Sequence, residues 1–186
     1  MPEEMNDYSG PYRPDLTFDC FSKEFLLKLM KTWQYAWLHM SGAWYEAVKS
    51  RWGFDAANAC EYEAWVKVGE RVNPRFAKIA NIELKTVLDS LKATQLPLDN
   101  TTDDLFRGQA EIISPNHVIW TIPRCKTLEV FERSSPERIK PMCEVLEPAV
   151  IEKYLINPKI KLKALKLPPR KSQDEIACQW EIKLEE

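Results

Sequence analysis

The sequence predicts an α+β fold in which an N-terminal helical layer packs on a four-stranded antiparallel sheet, made of two hairpins separated by short helices. Apolar residues recur every three or four positions in the first half of the chain, which is the period of an amphipathic helix. They alternate every second position in two later segments, and each of those segments contains turn residues, which is typical of hairpins. We therefore expect a flexible N-terminal arm over 1–18 and a single domain over 19–186. The helical part of this domain covers 19–96, and its hairpin–helix–hairpin part covers 105–186.

The N-terminal half predicts three or four helices. Ser22 is a good N-cap, and Gly53 is typical of a helix end, so the segment between them forms one long helix or two joined near Ser41-Gly42. A second helix is expected from Asp55 to about Val72. A third is expected to begin at Asn73-Pro74, because proline is favoured at the first helical position. The first segment carries a 3–4-spaced stripe that we expect to face the core: Leu26, Leu29, Met30, Trp33, Trp37, Met40, Trp44 and Val48.

The C-terminal half predicts four strands and several short helices. Residues 109–113 and 118–122 flank a turn and form the first hairpin. Between the hairpins, Pro136, Pro141 and Pro148 each stand where a short helix could start. In the third strand the apolar parity changes near Ala164, which predicts a β-bulge. Residues 176–184 alternate most regularly and form the last strand.

Composition excludes several classes of protein. The 186 residues are 45% hydrophobic, and 26 Lys+Arg against 28 Asp+Glu give a net charge of −2, so no basic excess indicates nucleic-acid binding. No apolar run is long enough to span a membrane, and no secretory signal is recognisable, so we expect a cytoplasmic protein without a membrane partner. Five scattered cysteines without a CxxC pair indicate reduced thiols rather than a disulfide framework or zinc site. No cofactor and no metal are expected.

Two cysteines are candidate nucleophiles. Cys125 lies near a helix start between two basic residues, and Cys143 follows Pro141 closely, so a helix N-terminus could lower either thiol pKa. His39 is the better placed of the two histidines to act as general base, because His117 falls in a predicted exposed turn. The alternative is that both cysteines are small buried residues that only fill space.

We expect a ligand pocket around these cysteine and histidine residues. Aromatic side chains on the first helix would line it, and a guanidinium fork would bind a substrate carboxylate. Lysines along the third strand are assigned to protection of a sheet edge. The candidate substrate-binding residues are Trp37, Trp44, Tyr45, Arg107, Arg124 and Glu144.

Several segments together resemble a known family. They are residues 39–45 (HMSGAWY), residues 53–57 (GFDAA), Cys143-Glu144 and the closing residues 178–182 (CQWEI). The chain resembles the L-2-amino-thiazoline-4-carboxylic acid hydrolase-like family, whose namesake opens a thiazoline ring on the way to cysteine. This resemblance implies a C–N hydrolase, and the family's cysteine before an acidic residue matches Cys143-Glu144.

Two functional hypotheses follow. In the first, the chain binds a small carboxylated molecule and hydrolyses a cyclic, non-peptide C–N bond with a Cys/His pair. In the second, it is a non-catalytic ligand sensor or a dimeric interaction module, and its cysteines serve packing. A homodimer is compatible with either hypothesis.

Overall fold

The computed structural model describes residues 4–97, 105–106 and 108–185. The chain divides into two compact units, residues 1–44 and residues 45–186. Both contain part of the first long helix, α1 (Lys23–Trp52), which continues through Gly42 without a break. The alternative of one long helix is therefore confirmed.

In the first unit, the start of α1 is joined to the N-terminal arm. The hydroxyl of Ser22 accepts a hydrogen bond from the Phe25 amide at 3.2 Å and so caps the helix. Met5 forms a parallel bridge with Phe21, whose ring stacks on Phe25 with centroids 4.4 Å apart. Tyr8 meets the Phe21 ring edge-on. The arm predicted to be flexible thus has defined contacts with the first turn of α1.

Helix α2 (Phe54–Ile79) follows after Gly53, whose φ of 89° is readily adopted only by glycine. The prediction of a new helix at Pro74 is wrong, because α2 continues through this proline. Gly69, Asn73 and Ala77 are buried at spacings of four, so one face of α2 is packed on both sides of Pro74. Tertiary packing outweighs the one backbone hydrogen bond that proline removes. The left-handed residue Asn81 lies beyond the helix end, and the short helix α3 (Val87–Thr94) begins at a capping box formed by Thr86 and Asp89.

A single four-stranded antiparallel sheet carries the second half of the chain. Its strands are β1 (Gln109–Ser114), β2 (His117–Ile122), β3 (Ile160–Lys166) and β4 (Cys178–Leu184), in the spatial order β1-β2-β4-β3. The register of β3 against β4 shifts between Ala164 and Lys166, which confirms the predicted bulge. β3 lies at an edge of the sheet, as its lysines predicted.

Short helical elements connect the two hairpins. They are α4 (Lys126–Ser134), a 3₁₀ turn (Pro136–Arg138), a π-helical segment (Pro141–Leu146) and α5 (Glu147–Leu155). Each of the three predicted prolines lies in the first turn of its element, which confirms this part of the prediction.

The main core of the second unit lies between helices α3 and α5 and one face of the sheet. Trp180 is 2% exposed there, and Ile182 and Val118 are fully buried beside it. Helices on one face of an antiparallel sheet make this an α+β fold, as predicted. Among the residues described, no helix has the length and apolar character needed to cross a bilayer.

Candidate functional site

Three cysteines converge in the second unit around one small apolar cluster. Cys125 is the N-cap residue of α4, Cys143 lies in the π-helical segment, and Cys178 begins β4. All three pack against the buried side chains of Ile122 and Leu128 and the buried Ala177. We call these three residues the cysteine cluster.

The electrostatic surroundings of the cysteine cluster favour the neutral thiol. Burial raises the pKa of Cys178 to about 12, although the indole N–H of Trp180 donates to its sulfur at 3.3 Å. Burial also raises the pKa of Cys143 strongly, and the nearby carboxylate of Glu147 adds to this effect. The pKa of Cys125 is likewise raised by burial, which outweighs the backbone amides of the first turn of α4. Because the thiolate is the nucleophile, these raised pKa values favour the less reactive, neutral form of each thiol.

The two histidines have different surroundings. His39 is exposed on α1 in the first unit, where its ring stacks on Tyr35 with centroids 5.8 Å apart. His117 begins β2 rather than lying in a turn, and its Nε2 is 2.8 Å from Oε1 of Glu181. A Cys/His pair that includes His39 stays a prediction.

The stripe of α1 predicted to face the core is exposed instead along much of its length. The exposed fractions of its most prominent side chains range from 45% at Trp44 to 65% at Met40. Val48, the last residue of the predicted stripe, is buried as expected, but Gln34 and Tyr45 on the same helix are also buried and lie about 90° around the axis from the exposed side chains. The assignment of the tryptophans to the core is therefore wrong. We call the exposed set the aromatic face of α1: Met30, Trp33, Trp37, Met40 and Trp44.

Tyr45, predicted to line a ligand pocket, is fully buried in the second unit and has a structural environment. Its hydroxyl donates to Oδ1 of Asn58 at 3.0 Å, and the guanidinium carbon of Arg138 lies 3.6 Å from its ring centroid. Arg138 in turn donates from Nη2 to both carboxylate oxygens of Glu61, at 2.8 and 2.9 Å, and contacts the ring of Phe131. Sequence reasoning missed this cluster because its members are far apart in the chain and none has a distinctive local pattern.

Two of the remaining predicted substrate-binding residues are exposed in the second unit. Arg124 is exposed and pairs with Glu129 at 3.0 Å, on the first turn of α4. Glu144 is exposed beside Cys143. Arg107 lies outside the described residues. Within the described ranges, no three His, Cys, Asp or Glu side chains are grouped so that they could hold a metal ion.

Comparison with known proteins gives a family but no activity. No curated protein and no solved structure matches the chain. The resemblance to the amino-thiazoline carboxylic acid hydrolase-like family therefore stays a prediction. A family model described as a family of unknown function, DUF6125, matches residues 19–184, which include α1, the cysteine cluster and the whole sheet. The chain belongs to this family.

Proposed function

We propose that this protein is a non-catalytic interaction module that binds an apolar helix of a partner protein through the aromatic face of α1. The observation that carries the proposal is the exposure of this face. Five large apolar side chains follow one another at alternating spacings of three and four on a single regular helix. This is the spacing with which two helices pack side by side.

The chemistry of the face fits this use. Tryptophan and methionine are enriched at the buried centres of protein interfaces, and contiguous exposed apolar patches commonly mark such sites. The bordering residues Ala36 and Ala43 are small and exposed, so they leave room for a neighbouring backbone. No charged residue of α1 lies within the face between Met30 and Trp44.

The cysteine cluster supports a non-catalytic role. Its thiols carry raised pKa values and pack among apolar side chains, which is the environment of structural cysteines. The opposing hypothesis is a hydrolase with Cys143 or Cys125 as nucleophile and His39 as base, and it requires a thiol that ionises readily near neutral pH.

Native-state alkylation separates the two hypotheses. The folded protein is treated with iodoacetamide near neutral pH, and the modification of each cysteine is followed by peptide mass spectrometry. We expect exposed Cys60 to be modified at once, together with Cys20, whose pKa is lowered by hydrogen bonding with Thr17. The three thiols of the cysteine cluster should be modified only after unfolding in urea.

Two variants control the experiment. The double variant Cys20→Ser/Cys60→Ser removes the accessible thiols and leaves only the cluster to be measured. In His39→Ala, the alkylation rates of Cys125 and Cys143 should not change. Modification of either cysteine in the folded protein as fast as Cys60, slowed by His39→Ala, would overturn the proposal in favour of the hydrolase.

A further inference from the structure

We infer that the partner bound by the aromatic face of α1 is a second copy of this chain. The two copies pack in a two-fold, antiparallel arrangement in which Trp33 of each lies against Met40 of the other. This inference rests on the proposed function and names the occupant of the proposed surface.

The area of the face matches one half of a stable dimer interface. Its side chains are exposed by 47% at Met30, 64% at Trp33, 47% at Trp37, 65% at Met40 and 45% at Trp44. With about 200 to 250 Å² of surface for each such side chain, these fractions leave about 600 Å² exposed on one copy. A two-fold pair that covered the face completely would bury about 1,200 Å² in all, which reaches the lower limit of the range of specific protein interfaces.

The order of residues along the face is self-complementary. In a two-fold pair each contact occurs twice, once in each direction. If the axis passes near the middle of the face, antiparallel helices place Met30 opposite Trp44 and Trp33 opposite Met40. Each of these layers then combines one rigid aromatic ring with one flexible thioether, a favourable contact that also fills space well. A parallel pair would set tryptophan against tryptophan and methionine against methionine instead.

The charges of α1 and of the whole chain favour a second copy of this chain over a lipid surface as the partner of the aromatic face. Helices that bind anionic membranes carry a polar face rich in lysine and arginine. Over the length of the face, from Met30 to Trp44, the polar side of α1 carries a single charged residue, Lys31, and the whole chain has a net charge of −2, so this stretch lacks the basic polar face of such helices. An uncharged face on such a helix is suited to burial against another uncharged face.

Sedimentation equilibrium of the full chain, from low to high micromolar concentration, tests the inference. We expect a monomer–dimer equilibrium in which Trp33→Glu raises the dissociation constant by about 30-fold or more, the effect of losing an interface hot spot. The matched control is Tyr35→Glu, which changes an equally exposed aromatic residue on the opposite side of α1 and should leave the constant nearly unchanged. Circular dichroism checks that both variants keep their helix content.

Mixing two variants tests the antiparallel geometry. Trp33→Lys and Met40→Glu should each weaken self-association, but an equimolar mixture should form the heterodimer, because the two substituted positions then carry opposite charges and face each other across the interface. The absence of a heterodimer in the mixture would overturn the antiparallel arrangement. The same mixture in high salt should dissociate, since an ion pair replaces an apolar contact.

The results that would contradict self-pairing differ from those that would contradict the proposed function. A wild-type chain that is monomeric throughout, or a Trp33→Glu variant that dimerises equally well, overturns self-pairing. Co-sedimentation of a monomeric chain with vesicles of phosphatidylcholine and phosphatidylserine would assign the face to lipid and overturn it too. Fast native alkylation of Cys143, by contrast, overturns the proposed function whatever the oligomeric state.

Discussion

Replacement of Arg138 by leucine should be among the most destabilising single changes in the second unit. The Arg138 side chain is 11% exposed, and the Glu61 side chain that it binds is 9% exposed. The substitution removes two charge-assisted hydrogen bonds and the contacts of the guanidinium with the rings of Tyr45 and Phe131. It also leaves the Glu61 carboxylate buried without its cation.

The expected loss follows from these contacts. Breaking a buried ion pair by removing one partner costs about 3–5 kcal/mol, because the remaining charge has neither water nor a counter-charge. The two ring contacts add up to about 2 kcal/mol where the cation is desolvated. Leucine retains part of the packing, so we expect a loss of about 3–5 kcal/mol in the free energy of unfolding near neutral pH. This is a large share of the stability of an ordinary domain.

The loss should depend on pH in a defined direction. Burial raises the pKa of Glu61 above its usual value even while Arg138 opposes the rise. An acid whose pKa is raised on folding contributes most stability below its unfolded pKa, and this contribution is lost as the pH rises through the folded pKa. Removing Arg138 raises the folded pKa further. The stability difference between Arg138→Leu and wild type should therefore be largest near neutral pH and shrink as the pH falls towards the usual range of glutamate.

Urea unfolding followed by far-ultraviolet circular dichroism at several pH values measures this effect. The control is Lys67→Leu, which breaks the exposed pair with Glu63 and should cost less than about 1 kcal/mol. The double variant Glu61→Met/Arg138→Met should recover most of the lost stability, because it leaves no unpaired charge. A loss below about 1 kcal/mol for Arg138→Leu at neutral pH would refute the argument that this ion pair is desolvated.

Four further substitutions test the fold. Trp180→Ala should lower the free energy of unfolding by about 3–5 kcal/mol, because the side chain is 2% exposed in the core, and urea titration measures it. Gly108→Ala should destabilise by about 1–3 kcal/mol, because the new methyl group would collide with the indole of Trp120, whereas Gly42→Ala in the middle of α1 meets nothing and should stabilise by up to about 1 kcal/mol. Equal thermal stability of these two glycine variants would contradict the structure. Thr86→Ala removes the capping box of α3 and should cost about 1 kcal/mol by urea titration, and no loss would show that α3 does not depend on its cap.

The sheet could be predicted from sequence because strand alternation is a local property. Residues 178 to 184 alternate without interruption, and the parity change at Ala164 has only one simple structural explanation, a bulge. The long helix after Ser22 was predictable for the same reason, since its cap and its period lie within the segment itself. The prediction of a helix start at Pro74 is wrong because packing on both sides of this residue outweighs its local preference for the first helical position.

The candidate site could be predicted only in part, because periodicity shows that a face exists but not what covers it. Trp33 and Tyr45 belong to two stripes on α1, and both stripes have helical spacing. Burial of Tyr45 depends on Arg138 and Glu61, which no window of sequence around α1 contains. The sequence identified Cys125 and Cys143 as uncommon residue types, but the raised pKa of each comes from burial in the folded chain.

The central pairing of β2 with β4 has a consequence for how the chain folds. The two strands of each hairpin are joined by a short loop. In the pairing of β2 with β4, by contrast, about 55 residues separate Ile122 from Cys178 and about 65 separate His117 from Lys183. Closing a long loop costs entropy before any contact compensates for it, so this encounter should limit the folding rate. Val118 is fully buried and pairs with Ile182 in this ladder. Val118→Ala should then slow refolding in stopped-flow experiments nearly in proportion to the stability it removes, whereas Thr86→Ala in α3 should mainly accelerate unfolding. The native topology of the sheet is therefore established late in folding, when β2 of the first hairpin pairs with β4 of the second.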